Sequence, residues 1–349
     1  MNLDSRLELF VKLGNFLDQL FSKKEVFLVQ ELDSLRSAIR DAGIQNDWFD
    51  EENILNSLRS ISSQLTRDNL ESWLTPYNLS NYCSNHKVLI VMAGNIPLVG
   101  FHDFLSVIIT GNKAVVKLSS KDSVLFPCLW SVLCKIDSNI SNQLEYIENL
   151  EEKKFDMVIA TGSNNSFTYF ESYFKNIKRL LRRNRISIAV LDGEESTSQL
   201  DSLAVDIFMY FGLGCRSVSK VFLPNGYDLD NLFQSLYSYR SLLENKKYSN
   251  NYDYNKTILL MNKIKIIENG FLIMKEDSSL HSPVSMLYYE YYDDITDLTT
   301  YIEDNSELIQ CVISKDNFVK GNVNFGDSQF PKLWDYADNV DTVDFLISD

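Results

Sequence analysis

Apolar residues recur at helical spacing over residues 3–21, about 25–42 and 48–74, and Leu7, Leu9, Phe10, Leu13, Phe16, Leu17 and Leu20 form one stripe of the first. Nothing in these stretches has the composition of a site, so they are expected to form a helical layer packed on the later part of the chain. The pattern changes at Lys87. Val88–Met92 is a short continuous apolar run, suited to a strand buried on both faces, and Ala93-Gly94-Asn95-Ile96-Pro97 breaks it. Leu98–Ile109 predicts a buried helix, closed by Thr110-Gly111-Asn112, and Ala114–Leu118 predicts a second strand, which together make a right-handed parallel crossover. Helices over Ser123–Lys135 and Phe167–Arg182, with strands over Leu144–Ile147, Met157–Thr161 and Ile186–Leu191, continue the alternation. Repeated strand–helix alternation is the pattern of a doubly wound parallel sheet.

Past Leu191 a second α/β region is expected. Helices are predicted over Leu200–Phe211, Leu229–Glu244 and Ile295–Ile302, and strands over Val218–Leu223, Phe271–Met274, Val284–Tyr289 and Leu308–Ile313. Lys246–Lys256 is the most polar stretch and reads as an exposed loop. Asp341–Ile347 reads as a strand with an open edge, of the kind that pairs with a second subunit.

Parallel sheets bind ligands beyond the carboxyl ends of their strands, where loops and helix N-termini present N–H groups. Here those ends are Gly94-Asn95, Ser119-Ser120-Lys121, Gly162-Ser163-Asn164 and Asp192-Gly193, all small and polar. Asn95 suits either an amide aimed at a developing oxyanion or an ordinary turn. Lys117 suits the ribose of a nucleotide and Lys121 a 2′-phosphate, although both also read as solvated lysines. Thr161-Gly162-Ser163 resembles a phosphate-binding strand-to-helix turn without matching G-x-G-x-x-G. The basic run Lys178–Arg185 suits the phosphates of coenzyme A, an acidic carrier protein, or simply the C-terminus of a helix. In Tyr210–Lys220, Cys215 follows Gly212 and Gly214 between a predicted helix and strand. A thiol on such a bend can be lifted toward a ligand, or be a buried structural cysteine. Cys128 and Cys134, on an apolar helix, read as core.

Composition narrows the classes. The 349 residues carry a net charge of −15, which disfavours a nucleic-acid role because phosphate binding needs a basic surface. The five cysteines, Cys83, Cys128, Cys134, Cys215 and Cys311, are odd in number and scattered, as expected of reduced thiols in the cytoplasm. The first residues lack the features of a signal peptide, and no apolar run approaches the roughly 18 residues of a membrane span. His86, His102 and His281 have no ligand-like spacing, so no metal site is expected.

The order of the pieces says more than any one of them. Gly94–Asp103 reads G-N-I-P-L-V-G-F-H-D, Lys117–Asp122 reads K-L-S-S-K-D, Phe211–Pro224 reads F-G-L-G-C-R-S-V-S-K-V-F-L-P, and the tail Phe325–Leu346 begins F-G-D-S-Q-F-P. This succession resembles the aldehyde dehydrogenase superfamily, and within it the fatty acyl-CoA reductase (LuxC-like) family. The resemblance implies an aldehyde-dehydrogenase-like α/β fold: N-terminal helices (1–80), a doubly wound parallel-sheet dinucleotide-binding domain (81–191), an α/β catalytic domain (192–321) and a C-terminal tail supplying an oligomerisation strand (322–349). It implies Cys215 as nucleophile, Asn95 as oxyanion donor, and Lys117, Ser119, Gly162 and Ser163 as cofactor-binding residues. The expected reaction is reduction of a long-chain acyl-CoA or acyl-carrier thioester to the aldehyde through an acyl-Cys215 intermediate, with NADPH as cofactor and NADH as the alternative. The expected partners are an acyl-protein synthetase or transferase and a second copy of the chain.

Three departures accompany the resemblance. Val190 aligns with the glutamate that activates water in aldehyde-oxidising members, Phe167 replaces the last glycine of the pyrophosphate turn, and the ribose-holding glutamate falls near Ser279, upstream of Ser282-Pro283. A non-acylating dehydrogenase, an acyl-phosphate reductase and an inactive assembly subunit are the alternative readings.

Overall fold

The computed structural model describes residues 1–22, 27–79, 85–150, 154–162 and 164–348. Two units divide the chain, Met1–Arg183 with Lys332–Asp349, and Asn184–Pro331.

The first unit opens on the expected helices, α1 (Leu3–Asp18), α2 (Val29–Gln45), α3 (Glu51–Gln64) and α4 (Arg67–Leu74). The single helix expected over 48–74 is two. Thr66 accepts a hydrogen bond from the Asn69 amide and starts α4, a local cap that the apolar spacing does not reveal. Next come β1 (Lys87–Val91), α5 (Phe101–Ile109), β2 (Lys113–Lys117), α6 (Leu125–Ile136), β3 (Leu144–Tyr146), β4 (Met157–Thr161), α7 (Asn164–Tyr173) and β5 (Lys178–Arg182). Their order in the sheet is β3-β2-β1-β4-β5, and all pairs are parallel. Val88 and Ile90 join the core beneath the N-terminal helices, while Leu89 and Val91 pack with Val158, Phe170 and Phe174 on the other face. Burial of both faces explains why β1 is apolar at successive positions.

Three sequence expectations fail here. The helix expected to run to Arg182 ends at Tyr173, and the basic run instead pairs with β4 as a strand, Ile159 opposite Leu180. Ile186–Val190 belongs to the second unit's sheet. The tail is no open-edged strand: Thr342–Ile347 is a helix, named α12 below, that buries Val343 and Leu346 in the first unit's own core. Its side chains are spaced for a helix face, and Asp341 caps it by accepting from the Asp344 amide.

The second unit contains β6 (Ile186–Val190), α8 (Thr197–Phe208), β7 (Val218–Pro224), α9 (Leu229–Leu236), α10 (Lys246–Met261), β8 (Ile267–Glu268), β9 (Ile273–Glu276), β10 (Met286–Tyr292), α11 (Ile295–Asp304) and β11 (Ile309–Ile313). The sheet order is β11-β6-β7-β10-β9-β8, parallel except for the short β8–β9 pair. The expected loop over 246–256 is helical because Asn245 caps the Lys247 and Tyr248 amides and because Tyr248, Tyr252 and Leu259 are buried along one side. Tyrosines there act as apolar residues, which a polar reading of the stretch overlooks. Among the described residues no helix is long and apolar enough to cross a membrane.

Candidate active site

In the first unit the chain leaves β1 for β2 and β3 on one side and returns for β4 and β5 on the other. The topological switch point therefore lies between β1 and β4. Gly94 and Asn95 follow β1 and Gly162 follows β4, so these sequence candidates meet at the edge where such sheets bind ligands. The fourth expected loop, Asp192-Gly193, follows β6 and belongs to the other sheet. Ser163 lies outside the described residues.

The loops after β1 and β2 are locked together. A Cβ on Gly94 would sit 2.5 Å from Ser119 Oγ, so only glycine allows this approach. Asp122 Oδ2 accepts from the Leu98 amide at 2.7 Å, holding Leu98 at a left-handed φ of 58° and leaving Asn95 exposed at the loop tip. Lys117 Nζ donates to the Glu148 carbonyl at 2.6 Å, just past β3. Gly162 lies against the first turn of α7, where a Cβ would meet Ser166 Cβ at 2.8 Å. A glycine in close contact with the opening of a helix at a switch point fits the pyrophosphate of a dinucleotide. Phe167, in place of the last glycine of that turn, packs under the guanidinium of Arg183.

Burial pushes the Asp122 carboxyl up to about 6, against the lowering effect of the Leu98 amide, and its Oδ1 is buried without a hydrogen bond. A carboxyl whose folded pKa is raised favours the folded state when protonated. Its contribution is therefore present at low pH and is lost as pH rises from about 4 through 6. Asp122→Asn does not titrate, so its stability relative to wild type should improve by roughly 3 kcal/mol between pH 4 and pH 7. Urea denaturation across that range, giving parallel curves for the two proteins, would contradict this.

The basic run does not form a phosphate patch. Arg182 pairs with Asp103 at 2.6 Å, Arg179 donates to the Phe174 carbonyl at 3.1 Å, and Lys178 binds Ser348. The family-like His102 likewise serves the fold, its Nε2 lying 2.9 Å from the Leu333 carbonyl and its ring against Trp73 and Tyr336.

In the second unit Cys215 is half-buried and not sealed in the core. It is the first central residue of a turn closed by the Ser217 amide on the Gly214 carbonyl at 3.0 Å. Ahead of it three consecutive residues are left-handed, Tyr210 at φ 56°, Phe211 at 57° and Gly212 at 73°. Such a conformation costs about 1–2 kcal/mol for each bulky residue, and it persists only where the surroundings over-determine it. Tyr210 and Phe211 are buried, and Phe211 packs on Tyr248. Phe211, Gly212, Tyr248, Ser282 and Pro283 share a cavity of about 30 Å³, which brings the Ser282-Pro283 segment beside Gly212, three residues before Cys215. This cavity holds about two waters, not a long acyl chain.

Val190 is fully buried among Ile188, Phe222 and Leu298. It lies toward the carboxyl end of β6, whereas Cys215 precedes the amino end of the parallel β7 and its carbonyl is bonded by Ser187 near the amino end of β6. The alignment of Val190 with a water-activating glutamate therefore fails. Glu195 accepts from the Asp192 and Gly193 amides. Burial acts to raise Asp192, but the hydrogen bond from Lys315 and its neighbours bring it below the usual carboxylate range.

Sequence reasoning missed Asp122, Ser187, Asp206 and Gln329, all buried beside these loops. Asp122 and Gln329 stand inside two of the family-like stretches, and Asp206 carried a signal as a carboxylate within the apolar run L-A-V-D-I-F. Among the described residues no group of three or more His, Cys, Asp or Glu is placed to hold a metal ion.

Solved structures with the same fold include aldehyde dehydrogenases. Aldehyde dehydrogenase 21 from Physcomitrella patens, in complex with the reaction product succinate, matches at a TM-score of 0.69 and 12% identity, covering 99% of this chain and 84% of that one. The indole-3-acetaldehyde dehydrogenase of P. syringae, with NAD+ and IAA, matches at 0.65 and 10%, covering 91% and 74%. Betaine aldehyde dehydrogenase from Staphylococcus aureus, with NAD+, matches at 0.64 and 10%, covering 93% and 75%. No curated protein sequence matches the chain. The chain has the aldehyde dehydrogenase fold, and since the acyl-CoA reductase (LuxC) family model matches residues 1–313 of its 349, it belongs to the acyl-CoA reductase (LuxC) family.

Proposed function

We propose that this chain reduces a long-chain acyl thioester to the aldehyde with NADPH, through an acyl group held on Cys215. The observation that carries the reading is the half-buried Cys215 thiol on a turn that opens with Gly214, in a member of the acyl-CoA reductase family. Attack by the thiolate forms a bond from the acyl carbon to Cys215 Sγ and breaks the bond to the carrier sulfur, which leaves as a thiolate and takes up a proton. Asn95 is assigned to the oxyanion by the family resemblance. A bound reduced nicotinamide supplies the hydride. Lys117 and Ser119 are proposed to hold its ribose side, and Gly162 and Ser163, with the N-terminus of α7, its pyrophosphate. Cys215 Sγ then leaves the reduced carbon as a thiolate, and the aldehyde is freed.

The NAD+-bound neighbours support a nicotinamide cofactor. The choice of NADPH rests on exposed Lys121 beyond β2, and on Asp122 being buried and committed to the Leu98 amide, where it does not oppose a 2′-phosphate. The acyl donor is coenzyme A or a carrier thioester, with an acyl-protein synthetase or transferase as the proposed supplier.

Thiol release and NADPH consumption measured together on long-chain acyl-CoA test the reading. One thiol should appear for each NADPH consumed. Cofactor turnover with an aldehyde and no thiol release would replace it with a non-acylating dehydrogenase.

A further inference from the structure

Behind the Cys215 turn, the segment Gly326–Gln329 is pinned to α8. Asp206, fully buried near the end of α8, accepts from the Gly326 amide at 2.6 Å, the Ser328 amide at 3.0 Å and the Ser328 hydroxyl at 2.6 Å. Charge-assisted bonds of this length are the strong class, and three of them satisfy a carboxylate that would otherwise be costly to bury. Gly326 holds a φ of 89°, and a Cβ there would approach Ser202 Cβ at 3.1 Å, so the segment is shaped to lie against α8. Pinned in this way, it delivers the buried Gln329 side chain to the turn. Gln329 Nε2 donates to Ser217 Oγ at 3.3 Å and to the Asp206 carbonyl at 3.4 Å, and Gln329 Oε1 lies 3.7 Å from the place of a Cβ on Gly214. From the other side the Ser187 hydroxyl donates to the Cys215 carbonyl at 3.0 Å.

We infer that the Phe325–Gln329 segment is a brace for the nucleophile, with Gln329 and Asp206 as positioning residues that hold the Gly214–Ser217 turn in its reactive geometry. The inference rests on the proposed role of Cys215. The Gln329 bonds are long and individually weak. Their effect comes from placement: Gln329 fills the space behind Gly214 and Ser217, in a turn that follows directly on the left-handed Tyr210-Phe211-Gly212 run. Neither residue is proposed to touch the substrate. Their removal should slow attack without weakening substrate binding, since displacement of a reacting atom by about 1 Å lowers rate by about 100-fold.

The test is single-turnover acylation of the full chain by a labelled long-chain acyl-CoA, read by intact mass, for wild type, Gln329→Ala and Ser217→Ala, with Cys215→Ser as control. Gln329→Ala should acylate about 10- to 100-fold more slowly at saturation, with half-saturating acyl-CoA unchanged. Ser217→Ala removes only the hydroxyl that receives Gln329; it should slow acylation in the same direction, and it decides the matter if Gln329→Ala does not fold. Wild-type acylation rates in these variants overturn the brace, even where their melting temperatures fall. An unlabelled wild type removes the nucleophile role itself, and the brace with it.

Discussion

Cys215→Ser should lose at least about 10³-fold in acyl transfer from a long-chain acyl-CoA, with no acyl adduct in the intact mass. The argument begins with the atom. A thiolate is strongly nucleophilic and leaves readily, so it both accepts an acyl group and releases the reduced carbon. A serine hydroxyl has neither property without an adjacent base. The turn holds this residue through its backbone: Gly214 precedes it, Ser187 donates to its carbonyl, and the left-handed Tyr210-Phe211-Gly212 run leads into it. Serine fits the same space, so the variant should keep its melting temperature and wild-type binding of the proposed NADPH, which separates chemistry from folding. Cys311 is buried, while Cys128 and Cys134 pack against the first unit's core. Burial pushes the Cys128 thiol up to about 11, so an adduct there is not expected at neutral pH. An acyl adduct that persists in Cys215→Ser would place the nucleophile elsewhere.

The second large effect is on stability. Arg182 and Asp103 form an ion pair at 2.6 Å with side-chain exposures of 8% and 3%, and Arg182 Nη2 also donates to buried Thr342 at 3.0 Å. Burial of both charges means that the pair offsets a large desolvation penalty and contributes little net stability. Loss of one partner is different, because it strands the other charge out of water. Arg182→Ala should destabilise the first unit by about 3–5 kcal/mol. It would leave Asp103 uncompensated and untie α12 from β5. The double variant Asp103→Leu, Arg182→Met should lose less than Arg182→Ala, since no charge is stranded. The measurement is favoured by composition: Trp48, Trp73, Trp130 and Trp334 all lie in the first unit, so tryptophan fluorescence in a urea titration follows that unit alone. A loss below about 1 kcal/mol for Arg182→Ala would mean that the pair is better solvated than its burial indicates.

Most of the architecture was legible in the residues because it follows from period. A buried parallel strand is a short apolar run and a covering helix a longer one, so β1, α5, β2, β4 and β7 could be read directly. The misreadings came where side chains play against type. Lys178–Arg182 looks helical and charged, yet it becomes a strand because its arginines find partners in Asp103 and the Phe174 carbonyl. Residues 246–256 look like a loop, yet Tyr248 and Tyr252 are buried in a helix. Thr342–Ile347 looks like an edge strand, yet Val343 and Leu346 reach an existing core only as a helix. In each case long-range burial outweighs local pattern.

The site divides in the same way. From the sequence came the identities that chemistry requires: a cysteine among glycines, an asparagine and glycines at strand ends, and their order along the chain. Their residue types are visible because few other types could serve. Tertiary structure alone decided that Asp192-Gly193 belongs to a different sheet from the strand ends that carry Gly94, Ser119 and Gly162. It alone decided that Val190 sits in a core, and that Asp122 in the first unit and Asp206 and Gln329 in the second, bonded to residues 24 to 123 positions away, fix the loops that carry the candidate residues of each unit. A hydrogen bond across such a separation leaves no periodic trace in a single sequence. It is set by which backbone amides the fold brings against a buried carboxylate, and that is a property of the packed chain.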